Sequence, residues 1–462
     1  MRFVALAIIL ASLPVFIGLL GKNTRNRDWA MAAIGLLLFL VGALQVDAAI
    51  ISWPAWPGSS KGILVSPVDM LALAMIATRP GRDNRIPFAG LSVLWLIPTA
   101  LSLFPSNVPM ASAFVLAQGV QLILFATAVA GELTRPSALP RLVQGLSLGL
   151  IIQASFVVQQ KLTGVIQATG TMGHQNSLGM MVELSVLPLI GYVLEGGKGR
   201  LCYAGVAAGL LIAAGGGSRG TLLFLALGIS VLLLFSLLRG MTPRKGKILA
   251  LGVGAAVVFV PLALATLKDR FGEHTMVTEE AEREAFKRAA RMIADDHPLG
   301  AGANMYISVA NAEGYSKRAG VNWNTGSRAA AVHNAFLLAR AETGRAGEIA
   351  LYLLILAVVW RGLTTGRRIQ APLLGGATIG AGAAAVAILA HNHFEFVFSY
   401  GVIQRFFWLN AGIVFACAMV ERRLSVARRQ RETALVRERA RVPSDTGDHD
   451  SAPASLRGGE RA

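Results

Sequence analysis

The chain has 462 residues, of which 54% are hydrophobic and only 15% charged. A soluble domain carries about 25% charged residues, so this composition excludes an ordinary soluble protein and predicts an all-α polytopic membrane protein. The net charge of +17 does not mark a nucleic-acid binder, because the basic residues collect in alternate short loops and a C-terminal tail, as orientation signals and anionic-lipid contacts do.

Apolar segments of about 15–21 residues recur along the chain, close to the length that crosses a bilayer as a helix. Spans are predicted over residues 2–20, 29–46, 63–78, 88–105, 111–130, 141–160, 176–194, 200–217, 221–238, 247–266, 346–360, 373–390 and 400–420. No small-residue cleavage site follows the first, which therefore reads as a span rather than a signal peptide. The segment 200–217 is short and glycine-rich, so the expected count is 12 or 13. Four parts follow: an N-terminal transmembrane bundle (1–266), a large hydrophilic region (267–332), C-terminal transmembrane helices (333–420) and a basic tail (421–462). The tail is Arg-rich to Arg441, then Ser/Pro/Gly/Asp-rich, which predicts an amphipathic lipid-facing helix followed by disorder. Cys202 and Cys417 lie in apolar runs and read as ordinary buried cysteines.

Loop charges set the expected orientation. Lys22, Arg25 and Arg27 share one loop, and Arg79, Arg82 and Arg85 the next but one. Arg135 and Arg141, Lys198 and Arg200, then Arg239, Arg244, Lys245 and Lys247, and finally Arg361, Arg367 and Arg368 continue the alternation. All fall on one side, which the positive-inside rule makes cytoplasmic. Residues 267–332 and the links 161–175, 215–220 and 391–399 are then extracytoplasmic, and the C-terminus is cytoplasmic.

Within the large outer region, Thr278 is the expected N-cap of a helix over 279–294 with acids in its first turn. Ala285, Phe286, Ala289, Ala290 and Ile293 form an apolar stripe at helical spacing, and Arg283, Lys287 and Arg291 a basic one. The basic stripe reads either as a surface laced by Glu279–Arg283 and Glu284–Arg288 pairs or as cations offered to phosphate at the membrane surface. Arg219, in GGGSRGTLL, sits at membrane depth, where an Arg takes an anionic partner or snorkels to headgroups.

His333 opens a helix on which Arg340, Gly344 and Gly347 are expected to share its face, placing a base and a cation in line above two close-packing glycines. The alternative is a capping or interfacial histidine. Two further clusters read as decoys. His391, His393 and Glu395 in HNHFEF lack supporting ligands for a metal and are expected to form a polar rim of the site. Asp295, Asp296 and His297 are neighbours that do not face one another, and Pro298 ends their helix.

His333-Asn334, nine residues (335–343), then Gly344 and Gly347 complete a known spacing. Upstream stand Arg283, the amphipathic helix, Pro298-Leu299-Gly300-Ala301-Gly302, the Ser-Arg-Gly segment around Arg219, and GTMGHQNSLG with His174 and Asn176. On these motifs the chain resembles the O-antigen ligase and polymerase superfamily of bacterial inner-membrane glycosyltransferases. The resemblance covers most of the chain and implies a helical GT-C-like fold with its active site facing the periplasm. It implies an undecaprenyl-diphosphate-linked glycan as donor, with no metal and no other cofactor. Under it, Arg219 and Arg283 bind the diphosphate, His333 activates the acceptor, and Gly344 and Gly347 are structural. Asn334 and His174 are candidate helpers, as is Arg340, which lies outside the shared motif.

The acceptor is a lipid A-core or similar glycan for a ligase, or another lipid-linked repeat unit for a polymerase. A lipid-linked-sugar transporter is the alternative of a different class, with Asp69, Glu183 and the arginines as a substrate path, but it does not need His333 as a base. No internal repeat supports it.

Overall fold

The computed structural model describes residues 2–44, 46–79, 85–254 and 273–441. Chain contacts divide it into two units, residues 1–419 and 420–462. The first unit contains α1 (Arg2–Lys22), α2 (Thr24–Leu44), a hairpin of β1 (Ala48–Ser52) and β2 (Gly62–Val65), then α3 (Pro67–Ala77), α4 (Ala89–Leu101), α5 (Pro109–Glu132) and α6 (Ala138–Leu162). It continues through α7 (Gln175–Leu194), α8 (Arg200–Gly216), α9 (Arg219–Leu237) and a helical stretch over 243–254, α10. After α11 (Glu273–Asp296) come three short helices, α12 (Tyr306–Ala312), α13 (Tyr315–Ala319) and α14 (Thr325–Arg328). The long α15 (Ala335–Arg368), α16 (Pro372–His391) and the start of α17 (Gly401–Arg441) complete it. The described part of the second unit is the Arg-rich end of α17, whose residues 422–434 are exposed.

The protein is a helical, multi-pass membrane protein: among the described residues eight helices are long and apolar enough to cross a bilayer, namely α1, α5, α6, α7, α9, α15, α16 and α17. Every expected span contains helix, although residues 255–266 of the tenth lie outside the described residues. Three of the expected spans are short. Ile63 and Leu64 pair with Ile51 and Ala49 as antiparallel strand, leaving α3 with 11 residues, roughly 16 Å of helix against a core of about 30 Å. α4 and α8 hold 13 and 17 residues.

α7 is the centre of the bundle, with 94% of its apolar window buried, and packs on α8, α9 and α16. Small residues permit this. A side chain at Gly191 or Gly376 would strike the other helix's backbone, and Gly362 and Gly382 bring α15 against α16 in the same way.

The module that follows α10 in the chain, from α11 to the start of α15, packs a core of its own. The predicted apolar stripe Ala285, Phe286, Ala289, Ala290 and Ile293 is buried against Tyr306, Val309, Tyr315, Val332 and Ala341, so it faces protein. The expected Glu284–Arg288 pair is not made. Arg288 instead donates to the Ala319 carbonyl at 2.9 Å, while Glu284 holds Lys287 at 3.4 Å and Arg291 at 3.0 Å. Helix α11 begins at Glu273, ahead of the expected cap at Thr278; the side chains of Thr278 and Glu279 lie outside the described residues.

One local feature departs from the expected seam helix. α15 is broken at Gly344, with φ 72° and ψ −178°, a conformation that only glycine adopts at low cost. The break receives the Pro298–Gly302 turn. Ala301 and Gly302 donate to the carbonyls of Ala341 and Glu342 at 2.9 and 3.0 Å, and a Cβ on Gly344 would meet Pro298 O at 2.6 Å. His333, Arg340, Gly344 and Gly347 therefore do not lie on one continuous helix face.

Candidate functional site

Five helix termini, the starts of α7, α9 and α15 and the ends of α8 and α16, meet with α11 around one cavity of 570 Å³. Each terminus is fixed by its own sequence. Gly217, at φ 63°, reverses the chain after α8, and Ser218 caps α9 by accepting from the Thr221 N–H at 3.3 Å, so Arg219 is the first residue of α9. His174 caps α7 through Nδ1, accepting from the Asn176 N–H at 3.2 Å. Asn334 caps α15, accepting from the Leu337 N–H at 2.8 Å and donating to the His393 carbonyl at 3.2 Å. The Ala335 N–H donates to the Asn392 carbonyl at 2.8 Å, which ties the start of α15 to the end of α16.

Arg219, Arg283, His333 and His174 all line this cavity, although they come from α9, α11 and the lead-ins to α15 and α7. Asn334 is not among its lining residues; its two hydrogen bonds make it a scaffold for the His333 loop. Arg340 also stands outside the lining and lies 4.0 Å from Glu348, which removes the proposed alignment of base and cation. Gly344 and Gly347 are structural: the first accepts the Pro298 turn, and a Cβ on the second would collide with Thr343. Of the basic stripe on α11, only Arg283 reaches the cavity, because Lys287 and Arg291 are held by Glu284.

The HNHFEF segment supplies the facing wall. Its two flanking imidazoles have separate partners: His391 Nδ1 lies 2.9 Å from Glu183 Oε1, and His393 Nε2 lies 2.9 Å from Tyr352 Oη. His391 and Glu395 both line the cavity. Glu395, only 3% exposed, accepts from Asn176 Nδ2 at 2.5 Å and lies 3.6 Å from Arg283 Nη2, while its Oε2 is buried without a hydrogen-bond partner. Sequence reasoning placed Glu395 on a rim and missed its contact with Arg283. The available signal was an acid just past the end of an apolar span, on the same expected side as Arg219 and His333.

The recess carries both signs: Arg219 and Arg283 share it with Glu280, Glu282 and Glu395, and its inner wall is the buried part. His333 lies between Phe286 and Phe396, at ring-centroid distances of 5.7 and 5.3 Å, and its Nδ1 is buried without a partner. Burial, with Arg283 and His174 nearby, pushes its pKa down to about 4. Burial likewise lowers His174. Glu395 moves the other way: burial raises it to about 7, against the pull of Arg283 and His391. Two solvent-reachable guanidinium groups suited to an anion thus share one cavity with a mostly buried imidazole that stays neutral at pH 7 and a buried carboxyl poised near it.

Compared with models of known protein families and with curated proteins, the chain matches none.

Proposed function

We propose that the chain is a glycosyltransferase of the O-antigen ligase kind, moving a glycan from undecaprenyl diphosphate to a sugar hydroxyl of an acceptor such as lipid A-core, at the periplasmic face of the bacterial inner membrane. The observation that carries this reading is the convergence of Arg219, Arg283 and His333 on one cavity at the helix ends opposite the basic loops. Alternating loop charge supports the orientation.

Outside the cytoplasm no nucleotide sugar is at hand, so a diphosphate lipid is the reasonable activated donor. Arg219 and Arg283 grip its diphosphate and stabilise the charge that appears there as the anomeric C–O bond breaks. The acceptor hydroxyl forms the new C–O bond and loses its proton to His333. Neutral above about pH 4, His333 is ready to accept it, and the donor's phosphate charges offset Arg283 and raise its basicity toward the ordinary imidazole value. No step calls for a metal or organic cofactor.

The test is transfer in proteoliposomes holding the purified chain, an undecaprenyl-diphosphate glycan and a lipid A-core acceptor. Product that depends on His333 supports the reading, and undiminished transfer by His333→Ala ends it. Product formed only when a second lipid-linked repeat serves as acceptor makes the protein a polymerase with the same donor chemistry. Movement of the intact lipid-linked glycan across the bilayer without transfer makes it a transporter.

A further inference from the structure

A buried carboxylate is out of place in a cavity meant for diphosphate. Glu395 is nonetheless held in its wall, by Asn176 at the start of α7 and by Arg283 of α11. Its second oxygen has no hydrogen-bond partner. A negative group beside Arg283 costs anion affinity, so its presence calls for a function.

We infer that Glu395 holds the donor phosphate's place on Arg283, and that diphosphate binding displaces it and leaves it to take up one proton from solvent. The inference rests on the donor reading above and adds to it a proton linkage. Arg283 at 3.6 Å is close enough to stabilise the carboxylate yet too long for a hydrogen bond, so an incoming phosphate oxygen wins the guanidinium by a direct, charge-assisted contact. The carboxyl then loses its cation and gains an anionic neighbour. Both changes favour its neutral form.

The sign of the pH effect follows. Before the donor arrives, Glu395 titrates near 7, so below that pH it is already neutral and binding costs no proton. Above it, each unit of pH makes proton uptake harder, and donor affinity falls by up to about tenfold per unit. The other groups around Glu395 do not mimic this. Without donor His333 is neutral throughout the window; bound phosphate raises it, so any proton it takes up is confined to the acid end and is common to wild type and Glu395→Gln, while His174 is shifted down and Tyr400 up. His391 faces Glu183 and also acts on the charge of Glu395, so the comparison is repeated in a His391→Gln background; Glu280 and Glu282, which also line the cavity, stay in place in every variant.

The experiment measures binding of undecaprenyl diphosphate, with undecaprenol as control, to the detergent-solubilised full chain between pH 6 and 8.5. Glu395→Gln is expected to match wild type at pH 6, to bind about tenfold tighter than wild type at pH 8, and to lose most of the pH slope. Calorimetry of the wild-type protein at pH 8 in buffers of different ionisation enthalpy should count one proton taken up, a reading that does not depend on the variant's folding. Weaker binding by Glu395→Gln at every pH, an unchanged slope, or no proton uptake by the wild type overturns the inference. The donor reading fails separately: it falls if Arg219→Ala and Arg283→Ala bind undecaprenyl diphosphate as wild type does.

Discussion

The basic-loop end of the helical bundle and the cavity at its other end treat charge differently; away from the cavity that other end too has a matched pair, Arg405 with Asp69 at 3.0 Å. At the end bearing the basic loops, cations are matched inside the protein. Arg27 is buried against Glu132 and donates to Thr78 Oγ1 at 2.7 Å; Arg135 reaches Asp28 at 2.6 Å, and Lys245 reaches Glu195 at 2.6 Å. At the other end, His333 Nδ1 and Glu395 Oε2 are buried without hydrogen-bond partners, and Glu395 meets Arg283 only at 3.6 Å. Pairs of the first kind hold helix ends together; incomplete ones cost stability in isolation and persist where a ligand completes them. Several residues of the basic loops are therefore internal fastenings.

The sharpest way to break this contrast is to remove a group from each end. His333→Ala should cut glycan transfer by about 10²–10⁴-fold, the usual contribution of a positioned base, and His333→Gln, which keeps more of the packing between Phe286 and Phe396, should lose transfer as well with a smaller shift in thermal midpoint. Glu132→Gln should do the reverse. It leaves Arg27 buried without its charge partner, which costs about 3–5 kcal/mol and should lower the midpoint in detergent, while transfer per folded molecule stays as in wild type. If Glu132→Gln is silent in stability, the paired end is not the structural one.

Between these lies the broken seam helix. Gly344→Ala forces a Cβ onto the Pro298 carbonyl at φ 72° and should cost about 1–3 kcal/mol or more in stability. Because the Pro298–Gly302 turn leads out of α11, transfer should fall with it. A variant as stable as wild type would show that the kink does not anchor the turn.

What could be read in the sequence and what could not divides along the same physical line. Helical spans and the buried stripe Ala285–Ile293 were legible because length and the 3.6-residue period are local properties. The hairpin at 48–65 was not, since Ile63, Leu64 and Val65 run without a break into the apolar α3 and read as part of one span. Arg219, Arg283, His333 and His174 were picked out by motif and do share a cavity. Glu395 was undervalued because its meaning lies in Asn176 and Arg283, more than a hundred positions away. The kink at Gly344 was also invisible: a Gly-x-x-Gly inside an apolar helix reads as close packing, and only the arrival of the Pro298 turn reveals a break.

Arg340 turns that last point into the smallest and most discriminating effect. On an unbroken helix it would stand in line with His333 and help hold the donor; in the structure it lies beside Glu348, outside the cavity. At 4.0 Å, and without a hydrogen bond from Arg340 Nε, the pair is a loose one. Arg340→Ala should therefore change the donor KM and kcat by less than about threefold, against losses at Arg219 and Arg283 many times larger even for the conservative change to Lys, which cannot reproduce a two-pronged phosphate contact. A loss at Arg340 as large as at Arg283 would mean that the cation acts on the donor after all, and that the helix closes over Gly344 during turnover to bring it there.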